Sequence, residues 1–395
     1  MNTAFNPNQP GYPNQPFRPR PAPGIGPFKI IFAIIAVMFA LLLGLIVLLL
    51  IGAETGLVEL MIGMVCATLP VPIYVMLILW IDRYEAEPIW MLATSFFWGA
   101  LIAVFIAIVF NTGIGLVATV ATNSADVGEI VGAVISAPVV EESAKAFILL
   151  ILFFWKKDEF DGIVDGIVYA GMVGLGFAMT ENILYYGRAA KEGQDALTVV
   201  IVLRGMAAPF SHPLFTSMTG IGLGWSRQSQ SSFIKIAMPF LGFLLAMIMH
   251  ATWNGSAVFF GGLGFFAAYF LIMGPAFIVT LMVIFFSLRR EGRIVREFLY
   301  SDHQKGFFDA HEYEKLCTIR GRMGMSWNAF WSDGFSTWRT RMRCNQVASE
   351  LAFLRSRVAR GVSRDPHTAY EREQTYLQTL QELRQQIAQR RQPRG

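Results

Sequence analysis

The chain has 395 residues, of which 54% are hydrophobic and 15% charged, with a net charge of +4 and a mean hydropathy of +0.48. These values exclude a water-soluble globular protein as the whole molecule and point to a polytopic membrane protein with an appended polar part. Three cysteines, Cys66, Cys317 and Cys344, have no paired spacing, which excludes a disulfide framework and a thiolate metal site.

Residues 1–27 are rich in Pro, Asn and Gln and lack the apolar stretch of a cleaved signal, so they are expected to form a disordered tail. Apolar runs of about twenty residues follow near 28–51, 60–81, 90–110, 131–154, 166–186, 205–225, 235–258 and 265–287. They predict an all-α fold of about eight transmembrane helices, within a membrane domain over 28–288. Loop charge sets the expected orientation. Arg18, Arg20 and Lys29 precede the first span, Lys156 and Lys157 follow the fourth, and Arg289, Arg290 and Arg293 follow the last, which places both termini in the cytoplasm. The loops near 52–59, 111–130 and 259–264 contain no Lys or Arg, as extracytoplasmic loops should, while Arg188 and Lys191 are the exception.

The basic excess lies entirely in the C-terminal region, taken as 289–395. From Leu288 onward there are 20 Lys and Arg against 12 Asp and Glu, which leaves the preceding chain with a net charge of −4. Apolar residues at helical spacing (Val347, Leu351 and Leu354, then Leu377, Leu380, Leu383 and Ile387) predict two amphipathic helices broken by Gly361 and Pro366. The expected arrangement is a cytoplasmic helical region close to anionic membrane lipids. Without a recognition motif, nucleic acid is not an expected partner.

The run 131–154 contains thirteen large apolar residues, yet it also carries Glu141, Glu142 and Lys145. Each large apolar side chain favours insertion by about 0.3–0.6 kcal/mol, whereas each charge at a helix centre costs about 2.5–3.5 kcal/mol. The balance is near zero or unfavourable, so these groups must face the bundle interior and mark a functional site. Lys145 lies four residues after Glu141 and three after Glu142, within reach of either carboxylate. The two glutamates point about 100° apart, so one is a candidate general base and the other a structural partner for Lys145 or for a neighbouring helix.

Four further polar residues sit in apolar spans: Glu181, His212, His250 and Asn254. Taking Arg204 as the outer boundary of span six and Asp161 and Asp165 as the inner boundary of span five, helix rise places Glu142, Glu181, His212 and His250 roughly 8–16 Å below the outer surface. Four spans therefore present polar groups at one level. Asp161 and Asp165 are expected to solvate the inner end of span five.

The segments Glu141-Glu142-Ser143-Ala144-Lys145, Phe177-Ala178-Met179-Thr180-Glu181, the segment around His212, and His250-Ala251-Thr252-Trp253-Asn254 resemble the PrsW family of intramembrane proteases. So does Asp82-Arg83-Tyr84-Glu85-Ala86-Glu87-Pro88 after span two. The resemblance covers about residues 60–290 and excludes both terminal regions. It implies a membrane-embedded peptidase related to the CAAX-prenyl protease and bacteriocin-processing family and, more distantly, to a non-proteolytic subunit of γ-secretase. The name-giving member cleaves an anti-sigma factor on its extracytoplasmic side, which implies a single-span membrane protein as substrate.

By carry-over from the CAAX proteases, Glu141 is the general base supported by Glu142, while His250 and Asn254 polarise the scissile carbonyl. Those relatives have histidine where this chain has Glu181, which leaves open whether His212 takes over that histidine's work. A metal is the alternative, because two histidines and a carboxylate, here His212, His250 and Glu181, make a catalytic zinc shell with one position left for water. The sequence leaves zinc and metal-free glutamate catalysis both standing. Two other classes of function also remain at this point: a non-catalytic scaffold or immunity-type protein of the same fold, and a secondary transporter with Gly-rich moving interfaces. No internal repeat supports the transporter.

Overall fold

A computed structural model describes residues 26–361 and 366–391. Apart from its last two residues, the tail expected to be disordered lies outside the described residues. Among the described residues every regular element is a helix: α1 (Pro27–Thr55), α2 (Leu57–Thr68), α3 (Val71–Ile81), α4 (Ile89–Phe97), α5 (Val104–Thr122), α6 (Ala125–Ile130), α7 (Ala137–Trp155) and α8 (Ile163–Glu192). There follow α9 (Gln194–Val200), α10 (Ser211–Gln228), α11 (Ser232–Ala268), α12 (Gly274–Gln304), α13 (Ala310–Leu316), α14 (Ile319–Ala359) and α15 (Pro366–Arg391). Of four π-helical stretches, Trp98–Ala103, Val131–Ser136 and Tyr269–Met273 join neighbouring helices without a break, while Ile201–Ala207 continues α9 and is separated from α10 by a turn at 208–210. The chain is an all-α polytopic membrane protein.

Local sequence sets the boundaries. Gly56, at φ +107°, turns α1 into α2, and Asn123, at φ +55°, ends α5 in the left-handed conformation that asparagine tolerates. Ser124 Oγ then accepts the Val127 N–H at 3.3 Å and caps α6. At the start of α8 the Asp165 carboxylate accepts the N–H groups of Asp161 and Gly162 at 2.8 and 2.7 Å. Asp165 thus closes a helix end rather than only solvating it, and Asp161, itself buried, pairs with arginines of the tail.

Six helical stretches among the described residues are long and apolar enough to cross a membrane, against the eight spans expected. The difference has two sources. The stretch Ser232–Gln304 holds both of the last two expected spans, and at 73 residues it measures about 110 Å, far more than one crossing. Gly261, with φ +57° and ψ −144°, is the non-helical point inside it. The stretch bearing Glu141, Glu142 and Lys145 is not among the six, because it carries three charged residues within one span length. The expected loop 111–130 is instead largely helical, since α5 continues to Thr122 and α6 follows at once.

One helix is central. The most apolar stretch of α8 is 83% buried, against 17–22% in the other five candidates, whose large apolar side chains face outward. Glycines allow this crowding, because in lipid helices associate mainly through close backbone packing. A Cβ on Gly166 would lie 2.1 Å from the Gly220 carbonyl oxygen of α10, and one on Gly176 would lie 2.0 Å from the Phe96 carbonyl of α4. These glycines are contact positions between packed helices.

The tail region is fastened to one end of the bundle, here called the tail end. The apolar-to-polar change at Leu288 falls inside the single helix α12. The break between α14 and α15 contains Gly361, and Val347, Leu351, Leu354, Leu380 and Ile387 are buried as their spacing foretold. Arg357 Nη1 donates to Glu85 Oε1 at 2.6 Å and to Asp161 Oδ2 at 3.5 Å, and Arg360 Nη2 reaches Asp161 Oδ2 at 3.2 Å. Arg322 stacks over Tyr84, 4.7 Å from its ring centre. The loop 82–88 is thereby clasped between spans and tail.

Two outcomes follow. Gly166→Ala should destabilise the bundle by about 1–3 kcal/mol through overpacking, read as a lower thermal midpoint in detergent. Burial raises the Glu85 carboxyl to about 8, with Asp161 and Asp165 nearby adding to the rise and Arg357 opposing it. A raised folded value means that Glu85's contribution is intact below the usual carboxylate range and is lost as pH rises through about 8. Protease release of the tail should therefore increase across that interval, and Glu85→Gln should flatten the dependence.

Candidate active site

Four helices meet at one buried cluster. α7 supplies Glu141, Glu142 and Lys145 just after the π-helical stretch 131–136, α8 supplies Glu181, α10 supplies His212 in its first turn, and α11 supplies His250 near its middle. Glu181 lies 18 residues along α8 from the tail end, or roughly 27 Å at helical rise, so the cluster belongs to the far half of the bundle. Glu141, Glu142, Lys145, His212 and His250 are all buried, with Lys145 at 0% exposure.

Lys145 is the hub. Its ammonium donates to Glu142 Oε1 at 2.9 Å, to His212 Nδ1 at 3.0 Å and to Glu141 Oε2 at 3.5 Å, and it sits 3.8 Å above the Phe177 ring centre. Each contact offsets part of the cost of burying the charge. Glu142 is saturated: besides Lys145 it accepts from His250 Nδ1 at 3.0 Å and from Thr216 Oγ1 at 3.1 Å. Glu141 is far less committed, with Asn111 Nδ2 at 3.3 Å and His250 Nε2 at 3.8 Å. Ser136 Oγ donates to Asn111 Oδ1 at 2.7 Å and so fixes that amide.

These partners assign the histidine tautomers. His212 Nε2 faces Glu181 Oε2 at 2.8 Å and must donate, which leaves its Nδ1 lone pair toward Lys145. His250 Nδ1 donates to Glu142, which leaves its Nε2 lone pair toward Glu141. A carboxylate thus holds one nitrogen of each ring, as outer-shell acids orient metal-binding imidazoles, while the other nitrogen accepts from Lys145 in His212 and faces Glu141 in His250. The rings stand 5.2 Å apart at 82°, and Phe215 stacks on His250 at 5.1 Å. Glu141, His212 and His250 each offer a ligand atom within 4.8 Å of the others. Two imidazoles and a carboxylate fit a catalytic zinc ion with one coordination position free.

The six expected site residues fall in different places. Glu141, Glu142, His212, His250 and Glu181 are linked in one network. Glu181, expected as the carboxylate ligand, binds the outer nitrogen of His212 and a guanidinium of Arg204, while Glu141 is the carboxylate that joins the two histidines. Asn254 spends its amide N–H on the Ala133 carbonyl, at 2.9 Å, and braces the π-helical stretch ahead of α7.

Sequence reasoning missed Asn111, Thr216 and the inward role of Arg204, which it treated as a boundary marker. Arg204 donates to Glu181 and to Asn182 Oδ1, the latter at 2.7 Å, and stacks 3.8 Å from the Tyr185 ring centre. Asn111 could have been found, as the lone amide in the apolar run of α5. Beside this network a cavity of about 40 Å³, lined by His212, Arg204, Asn182, Ser211, Trp253 and Phe265, has room for about two or three waters.

Residues 87–284 match the model of the PrsW family of intramembrane metalloproteases. Protease PrsW of Geobacillus kaustophilus is 31% identical over 175 residues, covering 44% of this chain and 69% of that protein. Protease PrsW of Oceanobacillus iheyensis is 28% identical over 204 residues, covering 52% of this chain and 84% of that protein. Protease PrsW of Bacillus subtilis is 28% identical over 177 residues, covering 44% and 72% respectively. No solved structure shows a significant match.

Loss of the acid that orients His212 should be measurable as metal affinity. Glu181→Gln should weaken zinc binding by about 10–100-fold with helicity unchanged, measured by competition with a chromophoric chelator.

Proposed function

Since this chain belongs to the PrsW family of intramembrane metalloproteases, we propose that the cluster on α7, α8, α10 and α11 hydrolyses a peptide bond of a single-span membrane protein, such as an anti-sigma factor. The carrying observation is the asymmetry of the glutamate pair: Glu142 is saturated by three partners, whereas Glu141 keeps free lone pairs beside both histidines.

The proposed orientation puts both termini and the region 289–395 in the cytoplasm, with membrane lipids around residues 28–288. The cut then falls near the outer leaflet, because the cluster lies in the half of the bundle away from the tail. Substrate reaches it through the cavity beside His212 and Arg204.

Glu141, His212 and His250 would hold the metal, which when bound supplies Lewis-acid polarisation and a more acidic water. The remaining steps belong to the chain. Glu141 accepts the proton of the attacking water and returns it to the leaving amine. Lys145 offsets the negative charge of the pair, and Glu142 keeps His250 in the tautomer that presents Nε2. Glu181 does the same for His212, with Arg204 neutralising Glu181. Asn254, one turn beyond His250, reaches a substrate carbonyl by exchanging its bond to Ala133.

Glu141→Gln separates the two tasks of that carboxylate. Fragments of single-span proteins, identified by mass spectrometry of membranes, should fall by about 100-fold or more in the variant. Unchanged fragments would remove the protease role from this cluster. Loss of cleavage with metal retained assigns Glu141 to proton transfer, and loss of both assigns it to ligation.

A further inference from the structure

The tail region exposes an aromatic ridge that neither the spans nor the catalytic cluster uses. On α14, Met323, Trp327 and Trp331 follow one another at four-residue spacing and lie on one face, Trp327 being 52% and Trp331 79% exposed. At Gly334, with φ +81°, the helix breaks, and the chain then brings Phe335, 62% exposed, and Trp338 back beside Phe330. Ring centres stand 5.1 Å apart for Phe335–Trp338, 6.4 Å for Phe330–Trp338 and 5.9 Å for Trp327–Phe330. A contiguous apolar patch of this kind on a polar region marks an interaction surface.

Its position identifies the partner. The ridge begins at Met323, whose Sδ lies 2.9 Å from Arg83 Nη1. Arg83 lies two residues beyond α3 and places its guanidinium 4.3 Å from the ring centre of Trp80, in the last turn of that span. Trp90 at the start of α4 and Trp155 at the end of α7 are exposed at the same end of the bundle, with Lys156 Nζ 5.0 Å from the Trp90 ring centre. Exposed tryptophans with basic side chains at helix ends form the aromatic belt of a membrane–water interface. The Met323–Arg83–Trp80 contacts join the ridge to that belt, and Arg320, Arg339 and Arg343, near it in sequence, are exposed.

We propose that Trp327, Trp331 and Phe335 insert into the headgroup–acyl boundary of the leaflet at the tail end. This segment of α14 then lies on the membrane as an interfacial anchor rather than projecting into water. Amphipathic helices with aromatic residues on one face and basic residues beside it bind lipid in this way. The proposal is independent of the catalytic assignment.

The test uses the full-length protein in nanodiscs of mixed phosphatidylcholine and phosphatidylglycerol whose acyl chains are brominated close to the headgroup. Wild type is compared with Trp327→Phe/Trp331→Phe, a substitution that keeps aromatic packing, so the difference in emission belongs to those two residues. The proposal expects this difference emission to be blue-shifted and mostly lost in brominated discs. Red-shifted emission that bromine does not quench would overturn it, leaving the ridge in water. Blue-shifted but unquenched emission would also overturn it, since the ridge would then be covered by protein.

Discussion

A lysine ammonium with no exposure to solvent governs the arrangement of this protein. Lys145 cannot be left alone in a low-dielectric interior, and one carboxylate contact would not satisfy its three N–H donors. The chain answers with Glu142, Glu141 and the His212 lone pair, and with the Phe177 face above. Each of those groups then needs its own partner. Glu142 draws in Thr216 and His250, Glu141 draws in Asn111, and His212 draws in Glu181, which in turn needs Arg204. A single buried charge thus recruits polar side chains from five helices and the π-helical stretch 201–207, and the order that results sets one carboxylate and two imidazoles within 4.8 Å of one another. Removing one member leaves another charge buried and unpaired, which is the costly case for ions inside proteins.

The π-helical stretches serve the same end. A wide turn shifts the backbone pairing and leaves a carbonyl without its usual partner, which lipid cannot supply. In three of the four stretches a side chain from another element donates to a backbone carbonyl: Thr180 to Ala100 at 2.8 Å, Asn254 to Ala133 at 2.9 Å, and Tyr74 to Gly205 with Tyr269 to Ala207. The stretch 131–136 enters α7 one turn before Glu141, and 201–207 contains Arg204 and leads to His212. Local widening is therefore used where side chains must be aimed, and it is locked from outside.

Much of this was legible in the residues. Charges inside apolar runs pointed to positions that meet in one buried cluster, because burying them alone is so costly, and the spacing of Glu141, Glu142 and Lys145 foretold their contacts. The saturation of Glu142 was half visible, as one glutamate had to serve Lys145, but Thr216 looks in sequence like any threonine in a helix. Arg204 was misread because an arginine near a span end usually marks the boundary, and only three-dimensional packing shows it folded back on Glu181. Which of the three carboxylates joins both histidines was also beyond reach. Spacing along a helix cannot reveal which face of α8 meets α10. The loop expected near 259–264 coincides with the break at Gly261, and the expected span absent from the six is the one whose three charges mark the cluster.

The absence of a joint within α12 has a mechanical meaning. At 31 residues the helix is a stiff rod about 46 Å long, rooted beside Tyr269 at one extremity and built into the tail's core through Val295 and Leu299 at the other. A rod of that length converts a tilt of a few degrees into a displacement of roughly 2–4 Å. The Tyr269 hydroxyl is tied to the Ala207 carbonyl at the cavity's rim. A tilt of α12 at the tail would therefore move the segment that carries this bond, with no flexible tether between the two.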